Sequence, residues 1–265
     1  MAVNSTATKK EYKQYYKQKE QPVSNYRIVK GFLIVILLAI AIVFVCMSGA
    51  FNISQIVVEG NVTISSEQVV SFSGIQKGTN LFALSKQEIM EKIKENPFVD
   101  SVQVKRCFPN KVKLILQERT VEYALPLASS YVYINRDGYI LEISNQFNNV
   151  PILLGVSTDL SNVKENERLA ESDLKKMNTV QKIMEMGIHH QMQELITKID
   201  ISNEEDYALH LEKEGKIAYL GSGTDLNTRF LYLKAILKDQ QGKTGKVFVN
   251  VDLNSEYVYF AEEQL

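Results

Sequence analysis

The sequence predicts an α+β protein that a single helix holds to a membrane. Three observations lead to this class. Residues 31–58 form one uncharged run, which is long enough to cross a bilayer. The next stretch passes from helical to alternating apolar spacing, as in a small sheet with two helices. The remainder combines hairpin turns with two amphipathic helices. The predicted order is a transmembrane helix, a β-α-α-β-β domain, and a larger mixed or antiparallel sheet domain with two helices.

The apolar segment is predicted to be an uncleaved membrane anchor over residues 31–51. Within it, Phe32–Phe51 holds 20 predominantly apolar residues, which as a helix span roughly 30 Å. A cleaved signal peptide is the alternative, since Ser48-Gly49-Ala50 resembles a cleavage site. The long region in front of the apolar core and the length of the core itself favour the anchor.

The charges beside the anchor predict a cytoplasmic tail over residues 1–30, with the rest of the chain outside. Seven basic residues stand in the tail: Lys9, Lys10, Lys13, Lys17, Lys19, Arg27 and Lys30. The first basic residue after the anchor is Lys77, and basic flanks stay in the cytoplasm. The tail has a net charge of +5, whereas residues 31–265 carry 23 basic and 29 acidic residues. We therefore expect the tail to meet membrane lipid, and we expect no nucleic-acid partner.

The segment after the anchor reads as strand, helix, helix, strand, strand. Ile53–Val58 is predicted to be the first strand. Two capping boxes, Ser65-x-x-Gln68 and Ser85-x-x-Glu88, begin the helices. Alternating apolar residues then predict strands at 102–105 and 112–117.

A second external domain is predicted over residues 120–260, with residues 261–265 as a C-terminal tail. Turn residues Gly138 and Gly215 predict two hairpins. The predicted strands lie at 131–134, 139–141, 196–201, 207–211, 216–220, 247–251 and 257–260, and the predicted helices at 172–186 and 225–238.

No enzyme motif is complete, so we expect no catalytic, cofactor-binding or metal-binding residues. Gly242-Lys243-Thr244 lacks the earlier glycine of a phosphate-binding loop, because Leu237 stands there. Gly221-x-Gly223 lacks a third glycine. His189-His190 has no further ligands at metal-binding spacing and is expected to be a solvated loop. A carboxylate pair of the glycosidase kind stays open, since Asp and Glu are plentiful.

Residues 96–119 resemble the signature of the FtsQ/DivIB family of bacterial cell-division proteins. The resemblance rests on Asn96-Pro97-Phe98-Val99, Arg106-x-x-Pro109 and Glu118-Arg119. Further matches follow in the order of the family: Ile56-x-Val58-x-Gly60-Asn61, Asn80-Leu81-Phe82, Ile134-Asn135-x-Asp137-Gly138 and Pro151-x-Leu153-x-Gly155. The resemblance implies a POTRA domain over residues 52–119 and a β-domain after it. Within the signature, Arg106 and Glu118 are expected to pair across neighbouring strands.

The resemblance also implies a function. Proteins of this family are divisome scaffolds and regulators of septum formation rather than enzymes. They bind the small bitopic proteins FtsL and FtsB/DivIC and link them to septal peptidoglycan synthesis, so septal peptidoglycan synthase is a further expected partner. The implied location is the cell membrane at the division septum, as a single-pass type II protein. The alternatives are a membrane-anchored POTRA protein of export or secretion and a surface peptidoglycan hydrolase.

By analogy with the family, the last strand is expected to bind the partner through Tyr257, Val258, Tyr259 and Phe260. Strand alternation places Tyr257 and Tyr259 on one face and the other two on the opposite face. Paired tyrosines suit an interface, and an open edge can accept an added strand. An ordinary strand with one aromatic face in the core is the alternative.

Overall fold

A computed structural model of the chain describes residues 25–252 and 257–263. The predicted tail up to residue 24 and the last two residues of the chain lie outside the described residues. The described part contains five α-helices and twelve strands, which confirms the predicted α+β class.

The N-terminal helix, α1 (Asn25–Cys46), has 22 residues and is about 33 Å long. By length and composition it can cross a membrane, and its side chains are not buried in the protein. The helix begins before the start and ends before the end of the membrane segment predicted over residues 31–51. The Asn80 side chain donates a hydrogen bond to the Cys46 carbonyl (2.9 Å), which satisfies one of the carbonyls left without an intrahelical partner at the helix end. Gly49–Phe51 then forms a separate 3₁₀ turn.

The first domain after α1 has the predicted β-α-α-β-β order. Its elements are β1 (Gln55–Glu59), α2 (Ser66–Ser73), α3 (Lys86–Lys94), β2 (Val99–Cys107) and β3 (Lys111–Glu118). The three strands form one sheet in the order β1-β3-β2. Helix α2 begins at a complete capping box, in which Ser65 and Gln68 satisfy each other's backbone N–H groups.

The expected pair between Arg106 and Glu118 is wrong, because each side chain has backbone partners instead. The Glu118 carboxylate accepts hydrogen bonds from the N–H groups of residues 62, 63 and 64, at 3.0, 2.7 and 3.1 Å. Arg106 donates to the Leu84 carbonyl (2.6 Å). Consecutive N–H groups that converge in this way form an anion-binding nest. Burial raises the pKa of Glu118, but the hydrogen bonds from the Val62–Ile64 backbone outweigh it and leave the pKa below its ordinary value.

We expect Glu118→Gln to lower the free energy of unfolding by about 1–2 kcal/mol at pH 7, since charge-assisted hydrogen bonds become neutral ones. A lowered pKa in the folded state means that the charge stabilises the fold above the unfolded pKa of about 4.3. This stabilisation is lost as the pH falls through the folded pKa. Urea unfolding of the full chain in detergent, followed by circular dichroism, should show the two proteins converging below pH 4. Glu204→Gln, at an exposed glutamate, is the control and should change nothing.

The larger domain that follows is built on one nine-stranded sheet. Its strands are β4 (Tyr123–Leu127), β5 (Ser130–Ile134), β6 (Ile140–Ser144), β7 (Ile152–Leu154), β8 (Lys198–Asp200), β9 (Ala208–Leu211), β10 (Lys216–Tyr219), β11 (Gly245–Phe248) and β12 (Tyr259–Glu262). Their order in the sheet is β12-β11-β10-β9-β8-β7-β4-β5-β6. The sheet is mixed, because β10–β11, β4–β7 and β7–β8 pair in parallel and the other described pairs are antiparallel. The two predicted hairpins are confirmed, with Gly138 and Gly215 at positive φ.

Two helices, α4 (Glu171–His189) and α5 (Leu226–Asp239), share the main core of this sheet. Their buried residues Val180, Ile183, Phe230 and Leu233 belong to the same cluster as alternate residues of the strands. The expectation of a solvated His190 is wrong. Its ring is buried, stacks on Phe230 at 5.8 Å and hydrogen-bonds to Asn227 (2.9 Å). The helix predicted to end at residue 186 continues through Gly187 to His189.

Candidate partner-binding edge

Strand β12 forms one edge of the nine-stranded sheet. It pairs antiparallel with β11, in a register that sets Tyr259 opposite Phe248 and Phe260 opposite Val247. No strand within residues 25–252 or 257–263 pairs with its other side. The opposite edge, β6, is partly covered, because residues 166 and 167 hydrogen-bond to Ile140. The N–H and C=O groups of an uncovered edge can pair with another chain.

The structure places the four predicted site residues at this edge, with a shift in the strand. The strand runs over Tyr259–Glu262 rather than 257–260, so Tyr257 and Val258 precede it. The predicted alternation of faces is nevertheless present. Tyr257 and Tyr259 are 92% and 51% exposed, whereas Val258 and Phe260 pack against the core.

Tyr259 continues a row of aromatic rings that crosses three strands. Its ring stacks on Phe248 of β11 (centroids 4.7 Å apart), and Phe248 stacks on Tyr219 of β10 (5.1 Å). The registers of these strands place the three residues directly opposite one another. The row fixes the orientation of Tyr259 while half of its surface stays exposed. A rigid, half-exposed aromatic ring is the kind of side chain that dominates binding energy at interfaces.

The outward-facing backbone groups of β12 can be assigned from the ladder. The Glu263 N–H donates to the Thr244 carbonyl (3.1 Å), so residue 263 points its backbone groups at β11. Because these groups alternate along an antiparallel pair, the N–H and C=O groups of Phe260 and Glu262 point away from the sheet. These are the groups that an added strand would bind.

Two buried cationic side chains donate hydrogen bonds to backbone carbonyls on either side of β11, the strand with which β12 pairs. Arg229 of α5 donates hydrogen bonds to the carbonyls of Thr224, Val249 and Val251, and so holds the segment that follows β11. Lys216 of β10 donates to the carbonyls of Glu214 (3.0 Å) and Lys243 (2.8 Å). These contacts satisfy the buried charges with backbone acceptors, as burial requires.

Gly245 allows β12 to approach β11 closely. A Cβ atom at this position would lie 2.1 Å from the Ala261 carbonyl oxygen and 2.9 Å from the Glu262 Cα atom. These obstacles are backbone atoms, which cannot rotate away as a side chain can. The backbone φ of Gly245 is also positive, at 153°, a conformation that favours glycine.

The ends of β11 and β12 are linked by exposed ion pairs. Lys246 lies 2.7 Å from Glu263, and Lys243 lies 3.7 Å from Glu262. The hydrogen bond and the charge of Glu263 raise the pKa of Lys246 above its ordinary value. Exposed pairs of this kind contribute little to stability, so the backbone ladder with β11 and the core packing of Phe260 hold the edge strand.

Nothing at this edge suggests metal or cofactor chemistry. Among the described residues no group of three or more His, Cys, Asp or Glu side chains is arranged to hold a metal ion. The edge presents two outward backbone positions beside an oriented aromatic surface.

Sequence reasoning found the strand of the site but missed its neighbours. Alternation marks Tyr219 and Phe248 as outward residues, since Ala218 and Val247 beside them are apolar and small enough for a core. The succession of strand, helix and strand indicates that β10 and β11 run parallel, but the sequence carries no signal for the register that brings Tyr219 and Phe248 to Tyr259. Arg229 and Gly245 likewise carry no motif.

Comparisons with known proteins show that the chain is similar to cell-division proteins. The family model "POTRA domain, FtsQ-type" matches residues 51–119. A cell division protein DivIB of Clostridium botulinum is 25% identical over 244 residues, which cover 89% of this chain and 93% of that protein. DivIB of Clostridium acetobutylicum is 23% identical over 213 residues, 80% of this chain and 84% of that one. Cell division protein FtsQ of Syntrophotalea carbinolica is 30% identical over 95 residues, 36% of this chain and 33% of that one.

Proposed function

The chain carries an FtsQ-type POTRA domain and is a homologue of the DivIB cell division proteins over most of its length, and from this premise we propose that it is a membrane-anchored scaffold and regulator of septum formation. In this proposal it performs no catalysis. It brings single-pass division proteins together outside the membrane and links them to septal peptidoglycan synthesis. We assign the POTRA domain to residues 52–119 and the β-domain to residues 120–260.

The proposed topology is type II, with the N-terminus in the cytoplasm and both domains outside. Helix α1 can span a membrane, and basic residues stand before it and within its first turns, as Arg27 and Lys30 do. None follows it until Lys77, which is the asymmetry that retains an N-terminus in the cytoplasm. We expect the protein at the division septum.

The proposed partners are FtsL-like and FtsB/DivIC-like bitopic proteins, with septal peptidoglycan synthase reached through them. The observation that carries this proposal is the open edge of β12 beside the exposed ring of Tyr259. A partner segment in extended conformation can add to such an edge, gaining affinity from main-chain hydrogen bonds and specificity from side-chain contacts. A small bitopic protein has an extracytoplasmic segment that could reach this edge.

We expect Tyr259→Ala to weaken binding of the FtsB/DivIC-like partner by about 10- to 30-fold, the usual effect of removing a central interface aromatic. The fold should be retained, because the tyrosine is half exposed and Phe260 still fills the core. Titration of the full chain in detergent with the partner measures the effect. Tyr232→Ala is the matched control, since Tyr232 is 42% exposed on α5. Equal affinities for the Tyr259→Ala and Tyr232→Ala variants would remove Tyr259 from the site.

Depletion of the protein tests the proposed role in the cell. Long filaments without septa, rescued by the wild-type chain, would support a role in division. Defective export with normal septa would indicate the export alternative. Release of soluble fragments from peptidoglycan by the purified full chain would indicate the hydrolase alternative.

A further inference from the structure

Three phenylalanine rings meet just beyond the end of α1. Phe51 lies in the turn after the helix, Phe82 in the segment before α3, and Phe108 in the turn between β2 and β3. The centroid of the Phe51 ring lies 5.1 Å from the centroid of Phe82 and 6.2 Å from that of Phe108. The centroids of Phe82 and Phe108 are 5.5 Å apart. Although they touch one another, Phe82 and Phe108 are 41% and 61% exposed. An exposed apolar patch of this kind marks an interaction surface.

Hydrogen bonds hold this aromatic cluster at the end of the helix. Asn80 donates from its side-chain amide to the Cys46 carbonyl (2.9 Å) and accepts a hydrogen bond from the Phe82 N–H (2.9 Å) on its side-chain oxygen. The Ile53 N–H donates to the Thr79 carbonyl (2.9 Å). If α1 spans the membrane, its last turn lies at the outer surface, and these bonds keep the three rings at that level.

An apolar groove runs between the helix and the aromatic cluster. Its volume is about 340 Å³. On one side it is lined by Ile42, Val43, Cys46 and Met47, and on the other by Asn80, Phe82 and Ala83. The groove is therefore continuous with the surface of α1 that faces lipid. Its volume lies within the range of small-molecule sites and is enough for part of an acyl chain.

In the segments that surround the groove and the aromatic cluster, every charged side chain is positive. Residues 47–56, 76–84 and 106–112 contain three basic residues, Lys77, Arg106 and Lys111, and no acidic residue. The other extracytoplasmic segments, residues 57–75, 85–105 and 113–265, hold 20 basic and 29 acidic residues. Lys77 and Lys111 are exposed. Basic residues next to a membrane are attracted to anionic lipid headgroups.

We propose that this region is a binding site for anionic phospholipid. The rings of Phe82 and Phe108 enter the outer interface of the membrane, and the groove beside Met47 receives an acyl chain. Lys77 and Lys111 meet the phosphate of the headgroup. The inference rests on the proposed anchoring by α1 and adds to it a second attachment, which holds the first external domain against the bilayer.

Tryptophan fluorescence tests this site directly, because the chain contains no tryptophan. The full chain carrying Phe108→Trp is reconstituted into phosphatidylglycerol vesicles, with or without bromine atoms on the acyl chains. We expect brominated lipid to quench the emission at least twofold. Phe147→Trp, at an exposed ring of the larger domain, should not be quenched. Phe44→Trp, within α1, reports whether the helix is in the membrane.

The outcomes separate the inference from the anchor. Quenching of Phe44→Trp without quenching of Phe108→Trp would overturn the lipid site and leave the anchor in place. Absence of quenching in both would overturn both. Equal quenching of Phe108→Trp in brominated phosphatidylcholine and phosphatidylglycerol would overturn the recognition of an anionic headgroup. Unchanged quenching after Lys77→Glu and Lys111→Glu are added would overturn it as well. Loss of quenching on adding a partner's transmembrane segment would show that the groove binds protein instead.

Discussion

Replacing Glu262 by proline is expected to weaken binding of the FtsB/DivIC-like partner at least about 100-fold, since an added strand would lose a main-chain hydrogen bond and meet the proline ring. The Glu262 N–H points away from β11, on the side of β12 with which no strand of the described residues pairs. Proline is tolerated at such edge positions. The substitution therefore blocks the open edge while leaving the ladder between β11 and β12 intact.

The control for this variant is Glu262→Ala. It removes the same carboxylate, and with it the 3.7 Å contact to Lys243, but keeps the N–H group. Because that ion pair is exposed, its loss should cost little, and Glu262→Ala should bind nearly as well as the wild type. If the alanine and proline variants bound equally, recognition would depend on side chains alone and strand addition would be wrong.

Replacing Gly245 by alanine is expected to detach β12 from the sheet and to abolish partner binding, although Gly245 itself lies one strand inside the edge. The new Cβ atom would lie 2.1 Å from the Ala261 carbonyl oxygen, a distance that only movement of the edge strand can relieve. Amide hydrogen exchange should become fast at Tyr259 and Ala261, which face β11. The rest of the domain should keep its protection, because the core beneath β9 and β10 is unchanged.

Gly242→Ala is the matched control for this second variant. Gly242 also has a positive φ, at 78°, but no atom lies within 4 Å of the Cβ that alanine would add. The two variants share the backbone strain of a non-glycine residue at positive φ, and only Gly245→Ala adds the steric conflict. Loss of binding in both would show that the strained turn is what matters; loss in Gly245→Ala alone would support the close approach of β11 and β12.

The β-α-α-β-β domain after α1 could be predicted from its sequence because its signals are local. The Ser65-Gln68 capping box and the alternation in β3 each lie within a few residues, and the structure shows both. The bounds of α1 could not be predicted in the same way. Apolar composition continues to Phe51, but the helix ends where Asn80, 34 residues further along the chain, bonds to Cys46.

In the candidate site, too, the features with local signals could be predicted and those set by distant segments could not. Alternation within the last strand predicts which of its side chains are exposed, and the exposure of Tyr259 agrees. The shift of the strand from 257–260 to 259–262 follows from its pairing with β11, where Thr244 and Gly245 set the register. Pairing between segments distant in sequence has no local signal, so neither this register nor the aromatic row could be read from the chain.

Strand addition at the open edge of β12 is tested by residue-resolved amide hydrogen exchange of the full chain with and without the FtsB/DivIC-like partner. The N–H groups of Phe260 and Glu262 should exchange fast in the free protein, since they point away from the sheet. With the partner bound, both should become protected, while Tyr259 and Ala261 change little. If a saturating concentration of the partner gave no added protection at Phe260 and Glu262, strand addition at this edge would be ruled out.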